Sequence, residues 1–216
     1  MATVSLAGRD VTVSNIFCIG RNYAAHVAEL GNRPEAEPLV FLKPTSALLA
    51  DGGRIELPVY SQDVHHETEL VVLIGRDARH VAEADALDYV AGYGIGLDLT
   101  ARDTQSELKA KGMPWTKAKA FATAACVSAF APASAVANPQ ALTFSLTVNG
   151  ERRQQGDTAL MLFPLAQLIS FLSQHYGLTA GDLIYTGTPE GVARLQSGDA
   201  LTLSLDGLAQ AQFTVA

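Results

Sequence analysis

The chain is poor in cysteine, in tryptophan and in positive charge. Its two cysteines, Cys18 and Cys126, lie in apolar surroundings and in no Cys-x-x-Cys or Cys…His pattern. That argues against a disulfide framework, a zinc site or a redox motif, and for two buried, reduced thiols. Fifteen Lys and Arg stand against 22 Asp and Glu, a formal charge of −7. With no basic cluster anywhere, nucleic acid is not an expected partner. No apolar run approaches the ~20 residues of a membrane-spanning helix, so no membrane partner is expected either. The opening Met1-Ala2-Thr3-Val4-Ser5 has neither the basic nor the apolar segment of a signal peptide, which makes the cytoplasm the expected location. An acidic protein that binds an anionic substrate needs local help, from a metal or from a few well-placed Arg and Lys.

What the sequence does have is apolar mass. At 216 residues and 48% hydrophobic, it suffices for one well-buried domain over residues 1–216. Residues 3–13 alternate as a short hairpin, and Asn15–Gly20 reads as a buried strand. Arg21–Gly31 is a predicted short helix, capped by Asn22 and ended by Gly31. The polar, proline-bearing segment 32–38 joins it to the core and would let it act as a lid. Strands are predicted at Leu39–Pro44, at Arg54–Pro58, and at 63–75 and 92–98. Helices are predicted at 83–90, 101–111 and 164–176, with Thr100 as N-cap and Asp103 completing a capping arrangement for the second. Asn149-Gly150 signals a hairpin, and two strands at 199–205 and 208–215 close the chain. Strands outnumber helices without regular βαβ alternation, so the class is α+β and β-rich.

The run Asp63–Gly75 places carboxylates where a buried strand should carry hydrophobes. Glu67 and Glu69, two apart, project from one face of a strand. Side by side at the mouth of Leu70–Ile74 they repel and lose hydration unless a cation or a proton sits between them. A divalent metal meets that need, and an all-oxygen site suits Mg²⁺, Mn²⁺ or Ca²⁺. The alternative is the solvated polar end of an edge strand. Asp98 ends a second Gly-rich strand and has no local capping role, which makes it a third ligand candidate. His26 and Glu29 share one helix face, the arrangement in which a carboxylate orients an imidazole base; an ordinary surface pair is the alternative. Lys119, in the loop 112–121 with the only tryptophan, is either a contact for a substrate carboxylate or a solvated lysine. Gly187-Thr188-Pro189 offers backbone amides and a hydroxyl to a ligand, or is a plain turn.

Six stretches in order resemble the fumarylacetoacetate hydrolase family from about residue 15 to the end. They are Gly20-Arg21-Asn22-Tyr23 with His26 and Glu29, Phe41–Pro44, His66–Glu69, Asp98–Asp103, Trp115–Phe121 and Gly181–Pro189. Within the family the chain is similar to the small acylpyruvase, oxaloacetate decarboxylase and fumarylpyruvate hydrolase branch. It departs at Ala193 and at Ala122-Thr123-Ala124. The resemblance implies a mixed β-roll or β-sandwich core with short peripheral helices and a lid helix, a homodimer, and Mg²⁺ or Mn²⁺ held by Glu67, Glu69 and Asp98. It implies a catalytic set of His26, Glu29 and Lys119, and substrate contacts from Arg21, Gln105 and Thr188. The implied activity is cleavage of acylpyruvates to pyruvate and a carboxylic acid, with oxaloacetate decarboxylation beside it. Isomerisation or decarboxylation of 2-hydroxy-dienoates, and an inactive metal-stabilised binding module, are the alternatives.

Overall fold

Side-chain alternation decides which strands face solvent and which are enclosed. In the computed structural model, which describes residues 1–31, 33 and 35–216, the first elements are β1 (Thr3–Leu6), β2 (Arg9–Thr12), β3 (Ile16–Gly20) and α1 (Ala24–Glu29). Next come β4 (Leu39–Lys43), β5 (Leu48–Ala50), β6 (Arg54–Ile55), β7 (Val64–His66) and β8 (Thr68–Ile74). A 3-10 helix over Glu83–Tyr89 precedes β9 (Val90–Asp98), β10 (Thr100–Ala101), α2 (Arg102–Ala110) and α3 (Thr116–Lys119). The second half holds β11 (Ala125–Val127), β12 (Ala131–Pro132), β13 (Thr143–Val148), β14 (Glu151–Asp157), α4 (Leu165–His175) and β15 (Leu183–Tyr185). It ends with β16 (Ala193–Arg194), β17 (Ala200–Leu205) and β18 (Ala209–Val215).

The larger sheet runs β4-β3-β15-β8-β9-β11-β5, with β12 on β9, and mixes parallel and antiparallel pairs. Its central β8 is buried along its whole length, and such a strand reads as a continuous apolar run because both faces are covered. A five-stranded sheet, β14-β13-β17-β18-β6, packs on β8 and β9. Its β13, β17 and β18 alternate buried and exposed residues, as strands with one wet face do. The β-rich class and the short peripheral helices are as the sequence implies.

Close packing within the larger sheet depends on β9. At Gly96 an added Cβ would lie 2.4 Å from the Cys126 carbonyl oxygen and 2.8 Å from the Tyr185 ring. Gly96→Ala is therefore expected to cost about 2 kcal/mol or more through overpacking, read as a lowered urea midpoint at unchanged slope.

Several local expectations need correction. Asn22 does not cap α1, whose N-cap is Tyr23 with no side-chain bond. Asn22 is instead fully buried: its amide donates to the carbonyls of Thr186 (2.8 Å) and Phe163 (3.1 Å) and accepts from Phe163 N (2.7 Å). Thr100 lies in β10 and donates to the Asp98 carbonyl, so α2 starts from Ala101 without a side-chain cap. Asp103 accepts from the Ser61 hydroxyl and Gln62 N, pinning a loop rather than closing a capping box. The strand expected at 54–58 stops at Ile55, and the loop expected at 112–121 contains α3. Of the segment 32–38, Asn32 and Pro34 lie outside the described residues.

Candidate active site

The strand expected through residues 63–75 is interrupted at Glu67, between β7 and β8. Asp98 ends the neighbouring β9, with its amide donating to the Glu67 carbonyl at 2.8 Å. The interruption turns Glu67 toward the cluster, while Glu69 stays in the ladder opposite Gly96. Ligand atoms of Glu67, Glu69 and Asp98 all lie within 4.8 Å of one another, and all three residues are buried. The solvated-edge alternative is thereby excluded.

Three buried carboxylates need counter-charge. Lys119, which the sequence leaves open as a solvated lysine, is 3% exposed. Its ammonium bridges Glu67 Oε2 (2.8 Å) and Asp98 Oδ2 (2.6 Å). Arg102 pairs with Glu67 and donates to Gln105 Oε1 at 2.8 Å. Lys43, fully enclosed, places Nζ 2.8 Å from Asp98 Oδ1. That contact is close enough for attraction but is not aligned to donate, so Asp98 Oδ1 has no hydrogen-bond donor among the described residues. Lys43 donates instead to the Leu99 and Lys119 carbonyls.

The three carboxyls are electrostatically unequal. Burial alone would raise Glu67, but Lys119 and Arg102 outweigh it and hold the carboxyl well below its ordinary range. Among the described residues, Glu69 accepts only from the Gly187 amide, at 2.7 Å on its Oε2. Burial, then the negative charges of Asp98 and Glu67, push it well above that range. Burial would lower Lys119, but Asp98 and Glu67 raise it, so it stays an ammonium. The residues fit a divalent cation: the donor set is all oxygen, one buried oxygen lacks a donor, and an ammonium already occupies a shared position between two carboxylates.

A narrow pocket of about 40 Å³ opens over this floor, lined among others by Arg21, His26, Glu67, Glu69, Gln105, Lys119 and Thr188. Glu29 stands behind His26, with Oε2 3.2 Å from its Nδ1. The other Glu29 oxygen accepts from Gly191 N at 3.0 Å, fastening α1 across the Gly-Thr-Pro turn. A carboxylate on Nδ1 makes that nitrogen the donor and leaves the lone pair of a neutral ring on Nε2. Thr188 donates to the Thr68 carbonyl (2.9 Å) and accepts from Gln154 Nε2 (2.9 Å), which leaves its hydroxyl oxygen able only to accept from a ligand. Arg21, at φ 60, pairs with Glu35.

The residues singled out from the sequence thus converge on one site, Asp98 beneath the floor and Glu29 behind the imidazole. Sequence reasoning missed Lys43, Arg102 and Gln154. Lys43 was detectable: residues 39, 41 and 43 share a strand face, and Leu39 and Phe41 line the pocket. Gln154 had no such signal, for it lies in the polar run of β14. Buried from the second sheet, its Oε1 accepts from Thr68 N (3.1 Å) and His66 Nδ1 (2.9 Å) while its amide serves Thr188 and Pro189. Gln154→Leu, which strands several of these groups, is expected to cost roughly 3 kcal/mol and to lower the melting temperature accordingly.

The model of the family described as fumarylacetoacetate (FAA) hydrolase, C-terminal, matches residues 15–216. The mitochondrial oxaloacetate tautomerase FAHD1 of Rattus norvegicus is 47% identical over 201 residues, covering 93% of this chain and 91% of the relative. The oxaloacetate tautomerase YcgM of Escherichia coli K12 is 47% identical over 199 residues, covering 92% and 91%. Among solved structures, the fumarylpyruvate hydrolase of Pseudomonas aeruginosa in complex with Mn²⁺ and pyruvate superposes with a TM-score of 0.94 at 37% identity, covering 100% of this chain and 97% of that one. By sequence and by fold, the chain belongs to the fumarylacetoacetate hydrolase family.

Proposed function

We propose that the protein is a divalent-metal-dependent enzyme that makes and discharges enolates of small 2-oxo acids, with keto–enol tautomerisation of oxaloacetate as its first activity. The observation that carries this is the buried trio of Glu67, Glu69 and Asp98, bridged by Lys119 and open to the pocket that holds His26. Glu67, Glu69 and Asp98 would hold Mg²⁺ or Mn²⁺, which when bound supplies Lewis-acid polarisation of the 2-oxo carbonyl. The charges support it. Three carboxylates face Lys43, Lys119 and Arg102, a balanced set, so a divalent ion leaves two positive charges for a bound anion to cancel.

In tautomerisation, His26 Nε2 takes a proton from the carbon next to the carbonyl, and the electron pair moves onto the carbonyl oxygen. Lys119 stabilises the oxygen charge as it develops, and return of the proton from the His26 imidazolium to that oxygen completes the enol. Glu29 holds the imidazole in the required tautomer. The two relatives named as oxaloacetate tautomerases support this order of preference.

Hydrolysis of acylpyruvates is the second reading, favoured by the His26–Glu29 pair and by the likeness to the fumarylpyruvate hydrolase. There His26 takes a proton from water, and the hydroxide adds to the distal carbonyl. The C–C bond breaks with its electrons staying on the pyruvate side, where the carbon takes up the proton held by His26, and a carboxylic acid leaves.

The decay of enol absorbance and the release of pyruvate, coupled to lactate dehydrogenase, are to be followed with oxaloacetate and with acetylpyruvate, under Mg²⁺, Mn²⁺ or EDTA. Metal-dependent enol decay without pyruvate establishes the tautomerase. Metal-dependent pyruvate from acetylpyruvate establishes the hydrolase. Inactivity in both assays with metal bound refutes the proposal.

A further inference from the structure

The helix α2 presents Arg102, Gln105 and Lys109 to the pocket, at the i, i+3, i+7 spacing of a single helix stripe. The stripe runs from floor to mouth. Arg102 holds Glu67, Gln105 is buried against Arg102, and Lys109 is exposed. Over seven residues the helix rises roughly 10 Å. A long side chain leans back toward the N-terminus, so the lysine head falls within reach of the far end of a four-carbon acid seated on the floor.

Lys109 also differs from the other cations of the pocket in having nothing to neutralise it. Arg21 pairs with Glu35, Arg102 with Glu67, and Lys119 with Glu67 and Asp98. Among the described residues Lys109 has no anionic partner. The sequence shows why: three and four positions away stand Ser106, Gln105, Gly112 and Met113, none acidic, while Glu107 is taken by Lys111. Its ammonium lies 5.9 Å from the centroid of the Trp115 ring. Partial burial and the cations Arg21 and Arg102 lower its pKa, as an electropositive mouth without its anion would.

We propose that Lys109 is a specificity-determining residue that receives the distal carboxylate of a dicarboxylic 2-oxo acid. The proposal rests on the reading of the site as a 2-oxo acid enzyme and extends the charge balance above. The enolate of a monocarboxylic 2-oxo acid carries two negative charges, which match the excess left by a divalent ion. The enolate of a four-carbon dicarboxylic acid carries a third, and Lys109 supplies its counter-charge. Lys109 therefore separates dicarboxylic from monocarboxylic substrates without taking part in the bond changes.

The test is Lys109→Gln, with Lys109→Glu as the reversal and Lys109→Arg as the conservative control, all at an exposed position that the fold does not depend on. With Mn²⁺, Lys109→Gln is expected to raise KM for oxaloacetate about tenfold, the worth of a charged hydrogen bond, and to leave KM for acetylpyruvate within twofold. Lys109→Glu should raise the oxaloacetate value further, and Lys109→Arg should restore it. A binding arm needs no turnover. Calorimetry on the Mn²⁺-loaded protein compares malate with lactate, two 2-hydroxy acids that differ in the distal carboxylate, and only malate should weaken in Lys109→Gln. Equal changes for both members of a pair, or no change in either, overturn the proposal. Inactivity toward both 2-oxo acids with the malate preference intact would instead strike at the reaction assigned to the site.

Discussion

Glu69→Gln is expected to weaken Mn²⁺ binding by at least about 100-fold while raising the melting temperature of the metal-free protein. The first effect follows from the donor set. Losing a supporting residue around a metal typically costs 10–100-fold, and Glu69 belongs to the set of three carboxylates itself. The second follows from where its charge sits. Burial, Asp98 and Glu67 all oppose ionisation of Glu69, and they outweigh the Gly187 amide and the Lys119 charge that favour it. A carboxyl whose folded-state pKa is raised contributes its full stability below the unfolded pKa and loses it as pH rises through the folded one. At neutral pH it is therefore a destabilising group, and a neutral isostere that can still accept from Gly187 removes that penalty. Glu69→Gln separates the two roles where Glu69→Ala, which also strands the amide, would not. Isothermal titration with Mn²⁺ and thermal melts in EDTA read the two effects. Unchanged metal affinity would remove Glu69 from the ligand set, and a lowered melting temperature would contradict the electrostatic account.

His26→Ala is expected to lower kcat for acetylpyruvate hydrolysis by about 10²–10⁴-fold, the usual contribution of a positioned general base, and to lower oxaloacetate decarboxylation much less. Hydrolysis needs a water to lose its proton before it attacks. Decarboxylation needs no such step, since the departing CO₂ leaves its electrons on the substrate carbon. The imidazole is 5% exposed and its Nδ1 is held by Glu29, so a small residue leaves the cluster of Glu67, Glu69 and Asp98 intact. Metal titration of the variant checks that. Equal loss of both activities, with Mn²⁺ still bound, would show that His26 serves a step common to the two rather than the attack of water.

The sequence by itself determined the carboxylates of the site. Ionisable residues placed where a strand should be apolar are costly enough to demand a partner, which is why Glu67, Glu69 and Asp98 stood out before any fold was known. It also determined elements whose signal is local: the Asn149-Gly150 turn, with φ values of 53 and 82, and the amphipathic α4. Asn22 and Thr100 carried equally good capping signals and were misread. Each side chain or segment found a better use at long range: Asn22 on Phe163 and Thr186, Thr100 within a strand opposite His65.

Only the tertiary structure decided which charges balance the carboxylates. Lys43 and Lys119 are 76 residues apart in sequence and meet at Asp98, while Gln154 crosses from the second sheet to hold the segment at Thr68 and the Thr188 turn. Propensity and periodicity report a residue's near neighbours. Burial of a charge or an amide is decided by what the other sheet and the distant turns bring to it, and that pairing has no expression in the local pattern.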